Sequence, residues 1–195
     1  MIASTKVRDW TVLFIGGPSG VGKSSIAYGL AQFYNVNVVE ADDICQAIRA
    51  MTTIETHPFL HYWGTGKNWL DAGIDGNVNW LIGVSQEMIL GLRAIAARHI
   101  EDDVPVIIEG DFIHPDLLAS FHDPRVKALY IIESDKNQIL QNFYSREGGE
   151  YQYFRADISI QYGEWLAGVC DKLGFPVIAS RPWDNALERA TDEIM

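Results

Sequence analysis

TVLFIGGPSGVGKS, residues 11–24, is an apolar run closed by glycines and followed by a lysine and a serine. Thr11 to Gly16 has the unbroken hydrophobicity of a short strand buried on both faces. Gly17, Pro18, Ser19, Gly20, Val21, Gly22, Lys23 and Ser24 then fit the phosphate-loop pattern G-x-x-x-x-G-K-S/T. The glycines let the backbone turn tightly, so that successive N–H groups converge on phosphate oxygens. The helix that follows aims its positive N-terminus at the same anion. In this pattern Lys23 reaches the β- and γ-phosphates, the Ser24 hydroxyl is a ligand for Mg²⁺, and Ser25 adds to the nucleotide-contacting set. The stretch predicts a nucleoside triphosphate site between a buried strand and a helix.

Outward from the loop, strands and helices alternate. Val36 to Glu40, Val104 to Ile108, Ala128 to Ile132 and Phe175 to Ala179 read as four further buried strands. Helical stretches are predicted at 23–33, about 42–51, 79–99, about 135–144, 153–173 and 184–194. Such alternation predicts one α/β domain over 1–195 with five parallel strands between helices. Residues 53–80 break the rhythm. They hold Tyr62, Trp63, Trp69 and four glycines, and they read as an excursion from the core on the acceptor side. Residues 145–155, with Gly148 and Gly149 between two helices, read as a hinged lid.

Composition narrows the class. The 195 residues carry 15 Lys and Arg against 26 Asp and Glu, a formal net charge of -11, so a polyanion would be repelled and no nucleic-acid partner is expected. Two cysteines, Cys45 and Cys170, are too few for a disulfide framework and predict a reduced, cytoplasmic setting. The opening MIASTKVRDWTVLFIGG lacks the long apolar core of a signal peptide, and no unbroken apolar stretch nears the ~20 residues of a membrane span, so no membrane partner is expected. A GTPase would carry a guanine-reading N-K-x-D, and Asp135-Lys136-Asn137-Gln138 is not one. The class left is a small ATP- and Mg²⁺-dependent phosphotransferase, monomer or homodimer, acting on a small molecule.

GGPSGVGKSSIA at the loop, Asp42-Asp43 after the second strand and VIIEGDFIHP at the third together resemble the 2-phosphoglycerate kinase group, within the nucleoside-monophosphate-kinase-like P-loop kinases. More distantly the layout is similar to chloramphenicol phosphotransferase and to zeta-toxin-type kinases. The resemblance implies strand order 2-3-1-4-5 and transfer of the ATP γ-phosphate to a small acceptor. Where such kinases often carry an arginine, three residues past the leading aspartate, this chain has Cys45, and Arg49 lies one helical turn later. The bulky stretch at 53–80 also argues for an acceptor other than that of the group's namesake.

Asp42 and Asp43 lie just past a strand's carboxyl end, where open α/β sheets bind ligands. Asp42 is expected to orient the acceptor hydroxyl and take its proton, with helix capping as the competing role for this pair. Glu109 stands where a metal-holding acid is needed, with Asp111 its rival and a substrate-side candidate. Arg146, and Arg155 across the glycine break, would neutralise the transferring group. In Arg181-Pro182-Trp183, Arg181 is the candidate to stack on the nucleotide base, and Trp183 is expected to pin the last helix. Tyr62, Trp63, Lys67 and Trp69 read either as walls of an acceptor pocket or as a satellite core. His57 and His61 lack a third ligand, and His114 reads as a turn residue. The rival function is a nucleotide-hydrolysing switch or binding module signalling through residues 53–80.

Overall fold

The structure, a computed structural model, describes residues 8–195. Its centre is a five-stranded parallel sheet of β1 (Val12–Gly16), β2 (Asn37–Glu40), β3 (Val106–Gly110), β4 (Val126–Ile132) and β5 (Val177–Ala179), ordered β2-β3-β1-β4-β5. Every residue of β1 and β3 is buried, as continuous apolar runs covered on both faces must be. Register sets Ile15 beside Glu109 and Gly16 beside Gly110, so the loop after β1 and the acids after β3 leave the sheet side by side.

Helices cover both faces. α1 (Lys23–Tyr34), α5 (Lys136–Glu147) and α7 (Ala186–Ile194) pack Leu30, Phe143 and Ala190 against Leu13, Ile131 and Ile178. α2 (Ala41–Met51), α3 (Gly73–Asp102), α4 (Pro115–Ala119) and α6 (Tyr153–Leu173) close the other face around Phe14, Met88, Leu92, Ile108 and Tyr162. By length and composition α3 could cross a membrane, but here its Val84, Met88, Leu92 and Ala96 lie in the core.

Several boundaries shift from the sequence reading, and one helix is new. α3 begins at Gly73, not 79, so the aromatic excursion ends near 72. Gly73 and Gly76 hide this start, and Asn77 secures it by donating from Nδ2 to the carbonyls of Gly73 and Trp69, each at 2.7 Å. β3 runs from Val106, not Val104, because Val104 N–H closes the end of α3 on His99 O at 3.0 Å and Pro105 has no N–H to give. α4 was not anticipated. Its N-cap is His114, whose Nδ1 accepts from Asp116 N–H at 3.1 Å, with Pro115 at the first helical position.

The excursion is tied down. Glu87 of α3 accepts the backbone N–H groups of Phe59 at 3.0 Å and Leu60 at 2.9 Å, and Trp80 Nε1 donates to Phe59 O at 2.9 Å.

Candidate active site

The loop between β1 and α1 depends on two glycines. Gly17 has φ +147°, and a Cβ there would lie 2.1 Å from Ile131 O; Gly22 has φ +94°, and a Cβ there would meet the Trp183 ring. No side chain caps α1, so its first-turn N–H groups stay available to an anion. Asn142 of α5 braces the loop from outside, donating to Gly20 O at 2.7 Å.

Lys23 is buried and donates to Pro18 O at 2.8 Å and to Asp111 Oδ1 at 2.5 Å. Ser24 Oγ donates to Glu109 Oε1 at 2.9 Å. The buried Glu109 has its pKa raised by desolvation, opposed by the nearby Lys23 charge and the Ser24 hydroxyl. A carboxylate in this state, bonded to a loop hydroxyl, suits a hard divalent cation bound largely through water and phosphate oxygens. Among the described residues no three acidic, His or Cys groups make a closed metal cage. Asp42 is solvent-exposed and lines neither of the cavities beside the loop, yet the surrounding protein raises its pKa by desolvation first and then through Asp111, with Lys23 opposing.

The loop is the shared wall of two cavities. One, of about 370 Å³, is lined by Gly20, Gly22, Lys23, Ser24, Ser25, Asn142, Ser145, Arg146 and Trp183. The other, of about 520 Å³, begins at Pro18 and Ser19 and is walled by Trp63, Lys67, Trp69, Trp80, Phe112, Asp111 and Arg155.

Solved structures share this architecture. A gluconokinase from Sinorhizobium meliloti aligns at TM-score 0.55 over 97% of this chain and 93% of that one, at 13% identity. A putative kinase from Chloroflexus aurantiacus aligns at TM-score 0.52 over 96% of each chain, also at 13% identity. The fold is that of the P-loop kinases. No family model matches the chain. Sequence relatives include the 2-phosphoglycerate kinases of Pyrococcus furiosus, 24% identical over 97% of this chain and 66% of the relative, and of Methanocaldococcus jannaschii, 27% over 86% and 57%. A mevalonate-3-phosphate 5-kinase of Thermoplasma acidophilum is 25% identical over 55% of this chain. The chain thus spans just under two thirds of the length of its first curated relatives.

Within this P-loop kinase fold, Asp42 and Asp43 fall in the first turn of α2, and Glu40 holds the N-cap position without a side-chain bond. Neither aspartate is therefore the cap, and both favour the helix dipole instead. Arg49 is half-buried on α2 near Gly64 and does not line either cavity. Arg146 lines the smaller cavity and pairs with Glu147. Arg155 lies across Phe143 at 4.3 Å, is held by Glu147, and donates to Ser19 Oγ of the loop at 3.0 Å. Arg181 is engaged edge-on by Glu133 at 2.7 Å and Asp135 at 3.1 Å, while Trp183 is the aromatic residue against the loop and in the smaller cavity. Trp63, Lys67 and Trp69 do wall the larger cavity; Tyr62 instead carries the Lys67 ammonium on its ring at 4.0 Å.

Sequence reasoning passed over Glu40, Glu133 and Asn142. Glu40 pairs in register with Glu109 and accepts from Tyr28 Oη at 2.6 Å. Glu133 anchors Arg181, Ser180 and the N–H of Asp135. An acid at or directly after the carboxyl end of an apolar strand was the available signal for both.

Proposed function

We propose that this chain is an ATP- and Mg²⁺-dependent phosphotransferase that moves the γ-phosphate to a hydroxyl of a small-molecule acceptor. The observation that carries this reading is the phosphate loop standing between two cavities. A transferase needs a place for each of two substrates, whereas hydrolysis needs only one. The curated relatives, kinases by name, support it.

In this reading ATP lies on the side of Gly20 to Ser25, Arg146 and Trp183, with Lys23 and the loop amides on its phosphates. Mg²⁺ would be held by Ser24 and, through water, Glu109, and would supply charge compensation on the phosphate oxygens. The acceptor enters the aromatic cavity. Its hydroxyl oxygen bonds to the γ-phosphorus as the bond to ADP breaks, and its proton passes to Asp42, whose raised pKa makes it the better base. Arg146 and Arg155 stabilise the charge on the transferring group. Asp111 competes with phosphate for Lys23 until nucleotide arrives.

The rival, a hydrolytic switch working through residues 53–80, needs a segment free to rearrange. Glu87 and Trp80 fix that segment to α3. ADP release with Mg²⁺ and ATP, measured across small alcohols, tests the two readings. A single acceptor raising turnover by orders of magnitude supports transfer, with Lys23→Ala inactive and Asp42→Asn retaining nucleotide binding only. Uniform slow hydrolysis across the panel supports the switch.

A further inference from the structure

Resting on the phosphotransferase reading, we propose that the larger cavity takes a neutral alcohol with a flat apolar body and a second hydrogen-bond donor, an aryl or nucleoside-type alcohol and not a phosphorylated acid. Three features of the cavity carry this. Its walls are aromatic: Trp63 packs on Trp80 at 5.3 Å between ring centroids, and Trp80 meets Phe112 edge-on at 6.3 Å. Such a preformed wall presents π-faces to a ring or to the C–H face of a sugar. The cavity measures about 520 Å³, far more than a three-carbon phosphorylated acid fills.

Its polar floor is set for a donor. Asn77 and Ser159 are only 4% and 3% exposed and both line the cavity. Asn77 spends both Nδ2 hydrogens on Trp69 O and Gly73 O, which fixes the amide so that Oδ1 can only accept. Among the described residues neither Asn77 Oδ1 nor Ser159 Oγ has a hydrogen-bond partner. The Asn77 amide oxygen, open to the cavity, accepts from a ligand hydroxyl or N–H and disfavours an anionic oxygen beside it, while the Ser159 hydroxyl can accept or donate.

The cations of the wall are already engaged. Arg155 is held by Glu147 and Ser19, Lys67 lies on the Tyr62 ring, and Lys23 behind the wall is paired with Asp111. A phosphorylated acid would compete with the transferring phosphate for Arg155 and would lie beside the Asp111 carboxylate, whereas a neutral alcohol does neither.

The test titrates the full chain with phenyl β-D-glucopyranoside, thymidine and 2-phosphoglycerate. Indole fluorescence without nucleotide reads binding, and ADP release with Mg²⁺ and ATP reads transfer. The neutral probes should shift the fluorescence saturably, and 2-phosphoglycerate should not at tenfold higher concentration. Ser159→Ala should weaken the neutral probes about tenfold with the melting temperature unchanged, since Oγ has no protein partner to lose. Tighter binding or faster turnover of 2-phosphoglycerate than of either neutral probe overturns the proposal, as does failure of both neutral probes to bind. Neutral-probe binding that Ser159→Ala weakens, without ADP release, leaves the ligand class standing and sinks the transfer reading alone.

Discussion

Asp111→Asn should tighten nucleotide binding while lowering the stability of the free protein, an opposition of signs that follows from the pair it breaks. Lys23 Nζ lies 2.5 Å from Asp111 Oδ1, and the two side chains are 7% and 21% exposed. The pair is therefore more shielded than a surface ion pair and less than a fully buried one, which places its contribution at about 1–2 kcal/mol. Without the charge pair Lys23 keeps Pro18 O and at best a neutral amide acceptor, and the free protein should melt about 2–8 °C lower. Phosphate groups no longer compete with a carboxylate for that ammonium and no longer approach its negative charge. The same 1–2 kcal/mol then returns as about 5- to 30-fold tighter ADP binding. Melting curves with and without ADP, together with calorimetric titration, read both effects. Acceptor-dependent turnover should persist, because Asp42 keeps the proton. Weaker ADP binding, or an unchanged melting temperature with unchanged affinity, would refute the competition between Asp111 and phosphate.

Glu109→Gln should raise the Mg²⁺ concentration for half-maximal turnover by about 10- to 100-fold, and Ser24→Ala should act in the same direction. A magnesium titration in which either variant behaves as the parent chain would remove the pair from the metal site. Trp183→Ala should weaken nucleotide binding by about tenfold, the loss of a stacking face, whereas Arg181→Ala should chiefly lower the melting temperature by stranding the buried Glu133. The reverse pattern in the two titrations would return the base-stacking role to Arg181. The Glu147 carboxyl is pulled down to about 2 by the Gln152 amide and the Arg146 and Arg155 guanidiniums. A depressed carboxylate stabilises the fold above its unfolded value near 4.3 and loses that contribution as pH falls toward 2. Hydrogen-exchange protection across residues 144–156 should therefore drop between about pH 4.3 and 2 in the parent chain and be low already at pH 5 in Glu147→Gln. Equal protection in the two proteins at pH 5 would show that the Glu147 pairs with Arg146 and Arg155 do not order residues 144–156.

The strand-loop-helix unit at residues 11–34 was legible because all its determinants are local. A buried run, glycines at the turn and a lysine at the helix start constrain one another within a few residues, and tertiary context has little left to decide. The strand order follows from the same alternation once the resemblance supplies a topology. What the sequence did not show were partners far along the chain. Glu133 engages the edge of the Arg181 guanidinium from 48 positions away. Trp183 lies against Gly22. Asn142 reaches the loop across 122 positions and carries no motif of its own.

Residues 53–80 carried two readings in the sequence, a satellite core or a pocket wall. The structure gives the stretch no core of its own: Phe59 lies against Gly83 and with Leu60 is bonded to Glu87, and Leu60 joins the main core, while Trp63, Lys67 and Trp69 line the larger cavity. Trp80 joins the two roles. Its indole N–H is spent on Phe59 O, fixing the excursion to α3, while its ring packs at a tilt on Trp63 and lines the cavity. These bonds hold Phe59, Leu60 and the Trp80 indole in place at one end of the wall. The same fixing that argues against a mobile signalling segment therefore argues for an acceptor large and flat enough to fill the space as it stands.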